Sequence, residues 1–280
     1  MQMEERNMFG KMLENVKNTC PLIHNITNYV TVNDCANVLL ACGGSPIMSD
    51  DIDEVEEIVT ICGGLNINIG TLNQRTIPAM FCAGKRANEL NHPVVLDPVG
   101  AGASGLRTST ALKLIEEIQF TVIRGNISEI KTLAKGSGST KGVDADVADA
   151  VTEENLDEAV TFAKNFAKEK KAVVAITGAI DIVTDGEKSY CIRNGHPDMS
   201  KITGTGCQLS AIIAAYVTAN KGNELDATAA AVCLMGLCGE RAKARMTEAD
   251  GNITMRNYII DEISNLTPEK LEEGAKYEVR

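Results

Sequence analysis

Short apolar runs alternate with longer segments of helical periodicity along this chain. The short runs predict strands at residues 21–26, 46–48, 65–70, 94–96, 120–123 and 172–177. Apolar residues spaced three and four apart predict helices at residues 11–19, 31–42, 52–62, 74–90, 106–118, 127–134 and 156–167. This alternation predicts an α/β fold, with a mostly parallel central sheet and helices on both faces.

The last two predicted strands follow a different pattern. Residues 181–184 and 188–193 flank the dipeptide Asp185-Gly186, and Asp-Gly between two apolar runs is a strong hairpin signal. We therefore expect a late antiparallel hairpin at one edge of the sheet. After Gly206 the pattern is helical, so no further strand is expected. No repeat or linker divides the sequence, which we interpret as a single domain over residues 1–280.

Net charge, apolar runs and cysteine spacing argue against several classes of binding partner. The chain has 280 residues and a net charge of −11 at pH 7, which argues against nucleic acid and against an anionic membrane surface. No apolar run is long enough to span a bilayer. The nine cysteines include no C-x-x-C pair, which favours reduced thiols over a zinc or redox site. We expect a cytoplasmic protein with a small-molecule ligand.

Polar side chains collect where the predicted parallel strands end. Asn25, Asp97, Arg124, Asn126 and Thr177 stand at these ends. Because ligands of open α/β sheets bind beyond the carboxyl ends of the strands, we expect the site at this edge. Asp97 there suits a metal or a phosphate, and it also suits an ordinary Asx-turn before a proline. Arg124 offers a charged fork for a phosphate.

A glycine-rich segment precedes the first helix of the C-terminal part. The sequence Thr203-Gly204-Thr205-Gly206-Cys207 stands where that helix should begin. Unpaired N–H groups and the partial positive charge of a helix N-terminus form an anion site, commonly for phosphate. The alternative is a Gly-rich cap above a buried cysteine. A helix N-terminus also lowers the pKa of a thiol, which allows a thiolate at Cys207.

Asn126 and Glu129 permit two interpretations. The spacing is that of a capping box, in which the two side chains bond each other's backbone N–H groups. The same two side chains share a helix face and can hold a hydrated Mg²⁺, which takes few protein ligands. The sequence leaves both interpretations open.

Six motifs, taken together and in this order, resemble the hydroxyethylthiazole kinase family of the ribokinase-like superfamily. They cover the chain from about residue 20 to about residue 220. The motifs are Ile23-His24-Asn25-Ile26-Thr27-Asn28-Tyr29-Val30, Ser45-Pro46-Ile47-Met48, Leu65-Asn66-Ile67-Asn68-Ile69-Gly70-Thr71-Leu72, Leu96-Asp97-Pro98-Val99-Gly100-Ala101-Gly102, Arg124-Gly125-Asn126-Ile127-Ser128-Glu129 and Thr203-Gly204-Thr205-Gly206-Cys207.

The resemblance implies transfer of the ATP γ-phosphate to the primary alcohol of 4-methyl-5-(2-hydroxyethyl)thiazole, a salvage step of thiamine biosynthesis. It also implies Mg²⁺ as cofactor, ATP as co-substrate and a homotrimer with active sites between subunits. Site roles carry over residue by residue. They are Met48, Gly204 and Asn25 for the thiazole, Arg124, Thr177 and Asn126 for ATP, Asp97 and Glu129 for the metal, and Gly204, Thr205, Gly206 and Cys207 for catalysis at the anion hole.

Two related activities remain alternatives at this stage. One is a hydroxymethylpyrimidine kinase of the same superfamily, whose pocket should differ around Asn25 and Met48. The other is an ATP-dependent hydro-lyase of the same fold, which repairs hydrated nicotinamide cofactors. The Gly- and Ser-rich residues 135–142 predict a flexible loop, and the sequence does not show whether it closes over the site.

Overall fold

A computed structural model describes residues 8–136 and 150–280. The described strands are β1 (Leu22–Ile26), β2 (Ser45–Met48), β3 (Gly64–Asn68), β4 (Val94–Asp97), β5 (Val122–Asn126), β6 (Val173–Thr177), β7 (Asp181–Thr184), β8 (Ser189–Ile192) and β9 (Tyr277–Val279). The described α-helices are α1 (Met8–Thr19), α2 (Val32–Cys42), α3 (Val55–Ile61), α4 (Thr76–Glu89), α5 (Gly105–Glu117), α6 (Ile127–Gly136), α7 (Leu156–Lys170), α8 (Thr205–Ala219), α9 (Glu224–Arg245), α10 (Asn252–Ser264) and α11 (Pro268–Gly274).

These strands form one sheet in the order β2-β1-β3-β4-β5-β6-β7-β8-β9. The pairs from β2 to β6 are all parallel, and the pairs β6–β7, β7–β8 and β8–β9 are antiparallel. Asp185-Gly186 forms the expected turn. Gly186 has a φ of +99°, and the side chain of Asp185 accepts hydrogen bonds from the N–H groups of Glu187 and Lys188. The predicted α/β class, with a mostly parallel sheet and a late antiparallel hairpin, is confirmed.

The prediction that the chain forms no strand after Gly206 is wrong at the C-terminal end. Strand β9 pairs with β8, with Ile192 opposite Tyr277. Tyr277 also packs its ring 4.9 Å from that of Phe9 and 5.3 Å from that of Tyr190, measured between centroids. A three-residue strand is too short to show its own periodicity, so these long-range contacts decide its conformation.

Some element boundaries also differ from the prediction. The helix expected from residue 52 begins only at Val55, because Asp51 forms an Asx-turn with the N–H of Asp53. Helix α6 runs to Gly136, so the first two residues of the expected 135–142 loop are helical. Residues 137–142 lie outside the described part of the chain.

The sheet has a hydrophobic core on each face, as the prediction of helices on both faces requires. Helices α1, α2, α8, α9 and α10 cover one face, and α3 to α7 cover the other. Successive strand residues alternate between the two cores, as Val95 and Leu96 do. Over residues 8–136 and 150–280, no helix combines the length and apolar character needed to cross a membrane.

Candidate active site

Alternating positions place a row of polar side chains on the sheet face that α8 covers. Asn25 lies opposite Asn66 in the β1–β3 pair, and Asn68 lies opposite Asp97 in the β3–β4 pair. The row continues across the sheet through Arg124 of β5 and Thr177 of β6. Val95, Val122 and Ala175 lie two residues before the polar ones on their strands, and their side chains belong to the core on the α8 side. Because strand side chains alternate between the two faces, the polar side chains lie on that same face.

The N-terminus of α8 stands above this row. Helix α8 begins at Thr205, and Gly204 caps it with a φ of +91°, in the left-handed region that favours glycine. A side chain at Gly204 would also collide with Thr31. Gly206 approaches the guanidinium of Arg124 so closely that it has no room for a Cβ. The first turn of α8 therefore presents its free N–H groups and Arg124 to the same space.

A chain of hydrogen bonds joins Cys207 to Asp97. The Asn28 amide nitrogen donates to Cys207 Sγ at 3.2 Å and to Asn68 Oδ1 at 3.0 Å. Asn68 in turn donates to Asp97 Oδ2 at 2.9 Å, and Ser210 Oγ donates to the same oxygen at 2.8 Å. These five side chains are buried, so their positions are fixed before any ligand arrives.

Arg124 connects Asp97 to an open cavity of about 710 Å³. Its Nη1 lies 3.5 Å from both Asp97 oxygens, and its Nη2 donates to Thr177 Oγ1 at 2.6 Å. Its Nε is buried and makes no hydrogen bond within the described residues. Arg124, Asn126 and Thr177 line the cavity together with Thr205 and Gly206. The cavity thus contains three predicted ATP residues and two of the predicted anion-hole residues.

Burial dominates the electrostatics of the site. It raises the pKa of Asp97, against the opposing effect of Arg124, and it raises the pKa of Asp181 at the cavity to about 7. Burial, followed by the nearby Asp97 carboxylate, also raises the pKa of the Cys207 thiol. Both effects favour the neutral thiol of Cys207 over the thiolate that the helix N-terminus allows.

Glu129 and Asn126 form the capping box that the sequence allowed. The Asn126 N–H donates to Glu129 Oε2, and the Glu129 N–H donates to Asn126 Oδ1, both at 2.8 Å. Glu129 Oε1 also accepts the Gly100 N–H at 2.8 Å, which ties the loop after β4 to the start of α6. Each carboxylate oxygen keeps a lone pair, so capping does not exclude contact with a hydrated cation.

The donor set is compatible with Mg²⁺ only as a sparsely ligated ion. Among the residues that the structure describes, no three acidic, His or Cys side chains come together as a metal cluster. Asp97 and Glu129 are close enough to interact electrostatically. Mg²⁺ in phosphoryl-transfer sites keeps several waters and takes one or two carboxylates, with substrate phosphates as the other ligands. Two carboxylates close to the cavity that Arg124 and Asn126 line fit that requirement.

None of the three residues predicted for the thiazole, Asn25, Met48 and Gly204, is among the residues that line the cavity. The Asn25 amide is used inside the sheet, where it donates to the Ile23 carbonyl and accepts from Asn66. Met48 ends β2 opposite Asn25 and is half-buried against the α8-side core. Asn28 instead contacts Cys207, and sequence reasoning missed it. The sequence did contain a signal for Asn28: β1 ends at Ile26, so the loop that follows lies at the carboxyl edge of the sheet.

Asp181, Arg193 and His196 were also missed at the cavity. All three line it, at the start of β7 or just after β8. The sequence shows them as hairpin and turn residues, with no motif of their own. Only the position of the hairpin beside β6 brings them to the site.

Three comparisons with known proteins identify relatives of this chain. The model of the hydroxyethylthiazole kinase family matches residues 13–269. A hydroxyethylthiazole kinase of Clostridium acetobutylicum is 65% identical over 271 residues, covering 97% of this chain and 99% of the relative. The structure of the Pyrococcus horikoshii hydroxyethylthiazole kinase is 34% identical, covers 97% of this chain and 98% of its own, and has a TM-score of 0.87.

A more distant structure shows the fold alone. The pyridoxal kinase of Staphylococcus aureus, in complex with AMP-PCP and pyridoxal, is 15% identical with a TM-score of 0.60. It covers 92% of this chain and 97% of its own. The fold and the relatives are those of a small-molecule kinase. The chain belongs to the hydroxyethylthiazole kinase family.

Proposed function

We propose that this protein transfers the γ-phosphate of ATP to the primary hydroxyl of 4-methyl-5-(2-hydroxyethyl)thiazole in thiamine salvage. The observation that carries the proposal is the continuous polar path under α8. It runs from the Cys207 thiol through Asn28, Asn68 and Asp97 to Arg124 at the cavity. One end of that path suits an alcohol, and the other suits a triphosphate. Family membership supports the same assignment.

The chain's own groups supply charge neutralisation. The triphosphate lies in the cavity, with Arg124, Thr177 and Asn126 as its contacts. The N–H groups at the start of α8, around Thr205 and Gly206, face the transferring phosphoryl group. Phosphoryl transfer has a loose transition state in most analyses, so positioning and electrostatic stabilisation carry most of the rate.

Asp97 and Glu129 would hold Mg²⁺, mainly through water, at the phosphates. When bound, Mg²⁺ neutralises phosphate charge in this class of reaction. Asp97 also interacts with Arg124, which keeps the guanidinium oriented toward the cavity. The carboxylate of Asp97 is therefore central to both the metal and the arginine.

Cys207 acts as a neutral hydrogen-bonding partner of the substrate hydroxyl. The Asn28 amide fixes Sγ by donating to it. Because its pKa is raised, the thiol contributes through position and hydrogen bonding more than as a base. Gly204 contributes to the thiazole site through its backbone, because Thr31 occupies the space where a side chain of Gly204 would lie. Met48 is the apolar contact that the family resemblance implies for this ring.

We further propose a cytoplasmic homotrimer in which neighbouring subunits complete the thiazole pocket. Tyr29 and Val30 directly follow Asn28 and are 76% and 56% exposed. Two exposed apolar side chains beside the acceptor end suit coverage by another subunit. Light scattering of the purified protein would give the mass of three chains, and a monomeric mass would contradict the trimer.

ADP release with Mg-ATP tests the function. 4-Methyl-5-(2-hydroxyethyl)thiazole and hydroxymethylpyrimidine are offered separately, and the product is weighed by mass spectrometry. We expect saturable release with the thiazole alone and a product heavier by one phosphate. Release only with the pyrimidine would overturn the substrate. Release that requires a hydrated nicotinamide dinucleotide would indicate the hydro-lyase.

A further inference from the structure

One side of the cavity is formed by residues 193–200, here called the wall segment. It follows β8 and includes all but the last residue of the short 3₁₀ helix Pro197–Lys201. Asn194, Gly195 and His196 are among its residues that line the cavity. No strand pairing fixes this segment, since β8 ends at Ile192. Its position must come from other contacts.

The wall segment packs closely against helix α9. A Cβ at Gly236 would lie 2.6 Å from the Asn194 carbonyl carbon, closer than such atoms approach in proteins. A Cβ at Gly239 would collide with the side chain of Met199. Gly236 and Gly239 are three residues apart and therefore lie on one face of α9. Their missing side chains let the segment lie directly against the helix.

Glu240 of the same helix face anchors the start of the segment. Its Oε1 accepts the Gly195 N–H at 2.9 Å and the Asn194 amide at 3.2 Å. Its Oε2 accepts Lys276 Nζ at 2.6 Å. One turn further along α9, Lys243 pairs with Asp198 at 2.7 Å and anchors the 3₁₀ helix.

The C-terminal chain completes the anchor around Asn194. Asn194 Oδ1 accepts the Lys276 N–H at 2.8 Å, and its amide nitrogen donates to the Gly274 carbonyl at 3.0 Å. The Arg193 N–H donates to the Lys276 carbonyl at 2.8 Å. Glu240 thus links the wall segment, helix α9 and the chain leading into β9. Glu240 does not line the cavity in the described part of the chain.

We propose that Glu240 is a positioning residue for the nucleotide, which sets ATP affinity by holding the wall segment against α9. The inference rests on the proposed function in taking the cavity as the ATP site. Losing Glu240 leaves the Gly195 N–H without its acceptor and loosens the segment from Gly195 onward, while Asn194 keeps its hydrogen bonds to Gly274 and Lys276. Among the described residues, no hydrogen bond or ion pair joins Cys207 or Asn28 of the thiazole end to Glu240. Thiazole binding should therefore be unaffected.

The test compares Glu240→Ala with the wild type in steady-state kinetics and in direct binding. For Glu240→Ala we expect KM for Mg-ATP to rise about 5- to 30-fold, as for an unsatisfied hydrogen-bond donor. KM for the thiazole and kcat should change by less than about 2-fold. Calorimetric titration with AMP-PCP, without thiazole, should show Kd rising by the same factor.

Two further variants separate positioning from general stability. Glu240→Gln keeps an acceptor for the Gly195 N–H and should restore ATP affinity to within about 3-fold of the wild type. Glu262→Ala is the matched control, because Glu262 of α10 binds Arg241 and Arg245 of the same helix α9, away from the cavity. It should lower the melting temperature and leave the AMP-PCP affinity unchanged.

The outcomes separate the two proposals. Unchanged AMP-PCP affinity in Glu240→Ala, with an active wild type, would overturn the positioning role alone. An equal loss of affinity in Glu262→Ala, or no recovery in Glu240→Gln, would also overturn it. A wild-type protein that bound no AMP-PCP would overturn both the ATP site and the inference built on it.

Discussion

The two ends of the polar row are built in different ways. At the acceptor end, around Cys207, buried amides of Asn28 and Asn68 bond one another and the thiol. At the nucleotide end, beyond Arg124, an open cavity of about 710 Å³ is enclosed partly by irregular chain. The first end is assembled from adjacent parallel strands and one helix. The second is closed partly by residues 193–200, which follow β8 and pair with no strand.

The two ends hold their ligands in position by different means. A saturated network of buried hydrogen bonds holds a small reacting group in one place without ligand. An open cavity instead gains order from the ligand and from anchors outside it. Substitutions at the acceptor end should therefore change turnover. Substitutions at the nucleotide end should change the affinity for ATP.

Asp97→Asn, at the junction of the two ends, should have the largest effect. It keeps the shape of the side chain and an acceptor for Asn68 and Ser210, but removes the charge opposite Arg124. We expect kcat to fall about 10²- to 10³-fold, the usual loss for one electrostatic group at a transition state. Circular dichroism should show a folded protein. Turnover within about 10-fold of the wild type would contradict the role of the charge.

Cys207→Ala should have an intermediate effect, confined to turnover. We expect kcat to fall about 10- to 100-fold, at or below the usual contribution of a general base. Cys207→Asp should remain active, because a carboxylate can accept both the Asn28 amide and a substrate proton. Complete loss of phosphorylation in folded Cys207→Ala would show that the thiol is indispensable, against the positioning mechanism.

Thr177→Val should affect the nucleotide end alone. It removes the hydroxyl that accepts Arg124 Nη2, and we expect KM for Mg-ATP to rise about 10-fold. Thr177→Ser keeps the hydroxyl and serves as the control. If the thiazole KM rose equally, the two ends would not be separable in this way.

Thiol labelling should show the smallest effect, without any substitution. The thiolate is the reactive form, so a raised pKa delays labelling until the pH is raised toward that pKa. Cys20 is exposed, whereas Cys207 is buried with a raised pKa. Brief alkylation near neutral pH should modify Cys20 and leave Cys207 free, as peptide mass spectrometry can measure. Preferential labelling of Cys207 would restore the thiolate interpretation.

The sequence predicted the parallel part of the molecule well, because strand and helix periodicities are local signals. It also identified Asp97, Arg124 and Thr177, which end their strands or stand near the end. It failed where long-range pairing decides. Strand β9 depends on its pairing with β8, and the wall segment depends on Glu240 and Lys276; none of these contacts is local, so no local pattern encodes them.

The choice between Asn25 and Asn28 shows a second limit. Both lie in one motif, and both are buried. Strand alternation directs Asn25 toward Asn66 inside the sheet, while the loop after Ile26 brings Asn28 back to Cys207. A motif predicts which segment reaches the site. Backbone geometry then decides which of its side chains makes the contact.

The pairing of β9 with β8 also has a consequence for folding kinetics. The β7–β8 hairpin closes a loop of a few residues, whereas β9 joins β8 only after a loop of more than eighty residues has closed. Loop-closure entropy and contact order both place such a pairing late. We therefore expect refolding chains to protect the amides of β7 from hydrogen exchange before those of β9. The wall segment, which Lys276 helps to anchor just before β9, should then become ordered after the β7–β8 hairpin.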